Sequence, residues 1–188
     1  MIISLEEAKK SKPDVTQEEL DAIEIAIRGL TNNKFQNLNV RFFNFEVQDS
    51  NKLVFNTKLA YLRVGDTIEI SDTWAQTGFG QNVPDGVNDG LFVIKEITDN
   101  SVILDTELLF DGRYNAGFIT KIEYPADIAA GIHKMLKYDA KMGAKLGIKS
   151  ESISRMSVSY FDVSTSSTIE GFPASVMSFL KKYEKMRW

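Results

Sequence analysis

A chain of 188 residues, 43% hydrophobic and 26% charged, has the composition of one folded domain, or of a core carrying an inserted module. It has no cysteine, which excludes disulfides and thiolate metal sites and makes reducing cytosol the expected compartment. The net charge of −4 argues against strong binding to a phosphate backbone, which draws on clustered lysine and arginine.

The opening residues MIISLEEAKK place no long apolar run after a basic segment, so a signal peptide is not expected. No window approaches the roughly 20 apolar residues that span a bilayer. Ser4 and Glu7 form a capping-box pattern for a short helix limited by Pro13. A second box, Thr16 with Glu19, opens a helix through Asn32. Leu20, Ile23, Ile27 and Leu30 recur there at helical spacing and define a buried face. Glu18, Asp21 and Glu24 are assigned to the other side, and Ile25 falls among them, as a stray surface residue or a subunit contact.

From Phe35 to Tyr124 the period changes to two. Strands are expected at 67–70, 91–97, 101–104 and 118–122, with turns at Gly65-Asp66, Asp89-Gly90, Asp99-Asn100 and Asp111-Gly112. They suggest a small barrel or a twisted sheet, and residues 78–90 (GFGQNVPDGVNDG) read as a long loop. Pro125 then opens a long helix to about Leu146, stopped by Gly147. Ile128, Ile132, Met135, Leu136, Met142 and Leu146 gather on one side of it, with Asp139 among them. Lys134, Lys137, Lys141 and Lys145 gather opposite. Residues 153–161 read as extended, 164–171 as a polar linker, and Pro173 as the start of a final helix ending in YEKMRW. The fold class expected is α+β: a mainly helical framework (1–34 and 125–188) carrying an inserted β-barrel-like or twisted-sheet module (35–124).

Tests for chemistry come out negative or weak. His133 is the only histidine, and serine or cysteine nucleophile mechanisms need it as base with partners nearby. A calcium loop counted from Asp85 has Asp89 at five, Gly90 at six and Glu96 at twelve, but Val87 stands where an oxygen ligand is needed. Gly78-Phe-Gly80 lacks the third glycine and the following helix of a phosphate cradle. The lysine row is the best nucleic-acid signal, yet no aromatic residue interleaves it for base stacking, and a solvated helix face accounts for it. At the C-terminal end, Phe179 and Leu180 suit inward packing, while tryptophan and arginine together are favoured interface anchors.

Three stretches resemble the head-tail connector (adaptor) family of tailed bacteriophages. They are Ile3 to Ala8 with Gln17 to Ile23 and Thr31 to Asn33; Pro125 to Ile128 through Lys149 to Arg155 and Ser157 to Tyr160; and Leu180 to Tyr183 ending in Arg187-Trp188. Together they cover roughly half the chain in the family's order; the β-rich middle resembles insertions carried by some members. The resemblance implies a structural virion protein and not an enzyme, with no cofactor or metal. It implies a dodecameric ring docked on the portal protein at the head-tail interface and assembled in the bacterial cytoplasm. Such a ring extends a channel that DNA passes without specific binding and receives a tail-side head-completion protein. A ring needs a heterologous interface, for which Glu18, Asp21, Glu24 and Ile25 against Lys134, Lys137, Lys141 and Lys145 are the candidate pairing. Phe179, Tyr183, Met186, Arg187 and Trp188 are the candidate portal-docking residues. Two alternatives stay open: a small β-barrel binding nucleic acid through the lysine row, and a carboxylate-dependent hydrolase around the 78–90 loop.

Overall fold

A computed structural model describes residues 1–73, 86–142, 150–153, 156–159, 168–169 and 172–186. The chain divides into two compact units, Lys34–Glu123 and the terminal segments Met1–Asn33 with Tyr124–Trp188.

The first unit is a closed barrel of β1 (Gln36–Gln48), β2 (Lys52–Phe55), β3 (Thr67–Ser71), β4 (Gly90–Ile97), β5 (Ser101–Leu104) and β6 (Gly112–Ile122). Its order is β1-β2-β5-β4-β3-β6, and every neighbouring pair is antiparallel. Alternate residues of each strand turn inward, so Leu53, Phe55, Ile68, Ile70, Ile94, Val102, Leu104 and Ile119 fill the interior. Closure depends on β1 against β6, where the register shifts between Phe43 and Phe45 at Asn44, whose φ is 55°. The extra residue reverses the alternation locally. Phe43 therefore faces out, its ring 5.8 Å from that of Phe118, while Phe45 turns into the core and stacks on Tyr114 at 5.5 Å. Gly117 makes room for this, since a Cβ there would lie 3.1 Å from the Phe45 ring.

The register also sorts the connections into two ends. One end gathers the turns 49–51, 72–73, 86–89 and 105–111. The other gathers 56–66, 98–100 and both points where the chain enters and leaves the barrel, bridged by Glu123 N–H donating to the Phe35 carbonyl at 3.0 Å.

In the terminal unit, α1 (Leu5–Lys9) and α2 (Gln17–Thr31) each begin with a complete capping box, on Ser4/Glu7 and Thr16/Glu19. Asn32 ends α2 in the left-handed region at φ 47°, a conformation that asparagine tolerates. After the barrel comes α3 (Ala126–Met142), then a hairpin of β7 (Ser150–Ile153) and β8 (Met156–Ser159). A two-residue pairing of β9 (Thr168–Ile169) with β10 (Phe172–Pro173) precedes α4 (Ala174–Met177), which tightens at once into a 3₁₀ turn over Ser178–Tyr183.

The expected mainly helical connector framework is not what forms. Sheet outweighs helix: six antiparallel strands close a barrel, and two of the four described α-helices are only 5 and 4 residues long. The physical reason is length. A helix of 5 residues at one end and of 4 at the other cannot supply the sides of a bundle, whereas β1 and β6 run for 13 and 11 residues and close a core by themselves. The final helix expected after Pro173 keeps only four α-helical residues, with Pro173 as an N-cap that offers no side-chain hydrogen bond. The expected stop at Gly147, and most of the 164–171 linker, lie outside the described residues.

Candidate functional site

The acidic side of α2 is smaller than its sequence suggests. Glu18 and Asp21 are exposed, and the Gln17 amide donates to Asp21 at 2.8 Å. Glu24 is only 5% exposed. It follows Leu20 by four residues and precedes Ile27 by three, which puts it on the buried stripe. Its carboxylate accepts from the Tyr124 hydroxyl at 2.8 Å and pairs with the Met1 amino group at 3.1 Å. Glu24 therefore leaves the candidate interface, because its oxygens are committed inside its own unit. Ile25 stays with Glu18 and Asp21 and is 67% exposed.

Burial, reinforced by the adjacent Glu24 carboxylate, pushes the Tyr124 phenol well above the ordinary tyrosine range. Folding thus favours the protonated phenol. The stability this adds is complete below the unfolded tyrosine value, about 10, and is lost as pH rises beyond it. In a phenolate absorbance titration, part of the signal is expected to appear only at pH above that of ordinary tyrosines, and Tyr124→Phe removes part of this late fraction. An unchanged late fraction in the variant contradicts the burial.

On α3, Lys134, Lys137 and Lys141 are exposed in a row, while Ile128, Ile132, Met135 and Leu136 are buried opposite. Lys145 lies outside the described residues. The apparent misfit of Asp139 in the apolar stripe has a partner: Lys12 Nζ sits 2.8 Å from its carboxylate and 3.1 Å from Glu19. The hydrogen bond to Asp139 is the main reason that the Lys12 ammonium titrates above its ordinary range. His133 Nδ1 lies 2.9 Å from Ser11 Oγ. The contact joins the segment after α1 to α3.

Of the C-terminal residues expected to reach outward, Phe179 and Tyr183 are turned inward. The Phe179 ring lies on Gly131 of α3, where any Cβ would collide with it. The Tyr183 hydroxyl donates to Asp127 at 2.5 Å, and Lys182 pairs with the same carboxylate, holding it below the usual range. The Asn33 amide and the Lys185 N–H fasten this segment to the end of α2, donating to the Tyr183 and Thr31 carbonyls. Phe179 and Tyr183 are thus packing residues of the terminal unit, with Leu180 and Met177 buried beside them. Met186 remains exposed; Arg187 and Trp188 lie outside the described residues.

Sequence reasoning missed the barrel's two ends. In the 56–66 loop, Leu59 and Leu62 are buried anchors and Tyr61 between them is 80% exposed, with φ 64°. A bulky side chain in the left-handed region is uncommon. Here Lys121 fixes it, donating to the Tyr61 carbonyl at 3.3 Å and pairing with Asp66 at 2.9 Å, while Asp66 accepts from the Arg63 N–H at 2.8 Å. Val64 is exposed beside it. At the far end, Leu108 and Phe110 are exposed on either side of buried Leu109. Alternating exposure inside a turn has no periodic signature; the apolar runs YLRV and LLF were the available signal.

Of the acids counted for a calcium loop, Asp89 serves the fold. Asp89 accepts from the Asp72 N–H, the Thr73 N–H and the Thr73 hydroxyl at 3.1, 2.9 and 2.6 Å, which pins the turn at 86–89. Asp85 and the Gly78-Phe-Gly80 segment lie outside the described residues. No group of three or more metal-ligating side chains occurs among the described residues, and none of their helices is long and apolar enough to cross a membrane.

Fold and surface together define a small closed-barrel protein with anchored apolar side chains at both barrel ends and charged faces on its helices. No family model and no curated protein matches the chain.

Proposed function

We propose that this protein is a structural assembly subunit that works through its surfaces, as the head-tail connector of a tailed bacteriophage. The observation that carries the proposal is the two-ended barrel: Tyr61 and Val64 at one end, Leu108 and Phe110 at the other, all exposed on loops whose backbones are hydrogen-bonded into place. Large exposed apolar groups on fixed loops suit docking, and two opposed sets suit a part that joins two neighbours. In this reading copies form a ring beneath the portal at the head-tail interface of the virion, and a tail-side head-completion protein docks on the other side. The ring interface sets Glu18, Asp21 and Ile25 of one copy against Lys134, Lys137 and Lys141 of the next. Such exposed ion pairs contribute only about 0–1 kcal/mol each, so they set register and encounter rate while buried apolar area supplies affinity. The excess of acids over bases fits a conduit past which DNA slides.

Mass measurement with electron imaging, on the chain alone and mixed with a portal ring, tests the proposal. A rotationally symmetric complex with the portal is expected, and Lys137→Glu with Lys141→Glu should reduce its formation and its salt dependence. A chain that ignores the portal but shifts DNA in a strongly salt-dependent way is instead a nucleic-acid-binding barrel acting through α3.

A further inference from the structure

The end of the barrel away from the chain's entry and exit carries the most exposed large apolar side chain of the described residues. Leu108 is 85% exposed and Phe110 58%, while Leu109 between them is 5% exposed and roots the segment in the core. The backbone under Phe110 is gripped on both sides. Its N–H donates to Asn88 Oδ1 at 2.8 Å, and its carbonyl accepts from Asn88 Nδ2 at 2.9 Å and from the Tyr114 hydroxyl at 2.6 Å. Ser50 adds a third hold, its carbonyl accepting from the Leu109 N–H at 3.1 Å. The two side chains are thus presented on a frame already ordered, which removes much of the entropic cost of binding.

The described turns around them carry one sign. The described turns at this end (49–51, 72–73, 86–89 and 105–111) contain Asp49, Asp72, Asp89, Asp105, Glu107 and Asp111, all exposed, and no lysine or arginine. Lys52 and Arg113 stand on the strands directly beyond these turns, Arg113 held by Glu46 at 3.0 Å, and Lys95 borders a groove of about 500 Å³ beside Leu108. Such a rim repels nucleic-acid phosphates and anionic lipid headgroups, and attracts a protein surface rich in lysine and arginine. An apolar centre inside a charged rim is the ordinary anatomy of a protein interface, with the aromatic residue as anchor.

We propose that Leu108 and Phe110 plug into an apolar socket, rimmed by lysine or arginine, on a neighbouring protein of the assembly. The inference rests on the assembly reading and adds to it which end binds and what chemistry the partner presents. A second copy of this chain is a poorer fit: its described lysine row, on α3, lies opposite that helix's apolar side, which is buried.

The test measures binding of the full chain to the purified portal ring, and separately to the tail-side head-completion protein of the same particle. Leu108→Ser with Phe110→Ser should weaken binding to one of them by about 30-fold or more, with an unchanged melting transition. Asp105→Lys with Glu107→Lys should slow association by about tenfold and flatten its salt dependence. If the unaltered chain binds and both variants bind with the same constants, the docking end is overturned and the assembly reading stands. If the unaltered chain binds neither protein, both fall. If the serine variant dissolves only self-association of the chain, the socket belongs to another copy and the proposed partner is wrong.

Discussion

Phe45→Ala should destabilise the barrel by about 3–5 kcal/mol, a large part of the 5–15 kcal/mol that holds a typical domain together. Phe45 is 2% exposed and sits where the closing strand pair meets the core. Its ring stacks on Tyr114 at 5.5 Å and lies 5.9 Å from Phe55. Removing it opens a ring-sized cavity that the neighbouring strands cannot fill without giving up the β1–β6 register. Urea denaturation followed by far-UV circular dichroism measures the loss, and Phe45→Leu should lose distinctly less. The outward ring of Phe43, two residues earlier, is the control: Phe43→Ala should shift the midpoint by a small fraction of that amount. Equal effects at the two positions would mean that the bulge at Asn44 does not turn these rings to opposite faces.

Glu24→Ala should destabilise the terminal unit by about 2–4 kcal/mol, because it leaves a space in a packed stripe and strands the buried Tyr124 hydroxyl. Glu24→Gln keeps an acceptor for Tyr124 and should lose less. Glu18→Ala and Asp21→Ala, both at exposed positions, should stay within about 0.5 kcal/mol of the parent. Thermal melting separates the three acids directly. If Glu24→Ala melts like the parent while ring formation falls, Glu24 belongs to the ring interface after all.

These two cases also show what was legible in the chain beforehand. The capping boxes at Ser4 and Thr16 were readable because the pattern that signals them and the hydrogen bonds that realise it lie within four residues. The strands Thr67–Ser71 and Ser101–Leu104 were readable because their apolar residues form short runs between turn signals. β1 was not. Its two register shifts break the alternation, and its closing partner lies at Gln36↔Ile122, a pairing with no local trace. Short capped segments announce themselves, whereas a closed barrel is a property of distant pairings. Glu24 was placed by its charge when its spacing from Leu20 and Ile27 put it inside. Phe179 suits inward packing or a partner, and what decides for packing is Gly131, which makes room for its ring on α3 and is 48 residues away in sequence. The apolar side chains at the barrel ends went unread because turns have no period to violate.

Closure of the six strands has one more consequence. A sheet that ends leaves a row of unused amide and carbonyl groups, which any extended peptide can zip onto, so crowding favours runaway fibres. Here β1 meets β6 and the row is consumed. Many such barrels can therefore be packed shoulder to shoulder without the barrel strands recruiting one another, leaving the barrel's side chains to decide which of its surfaces stick and where growth stops.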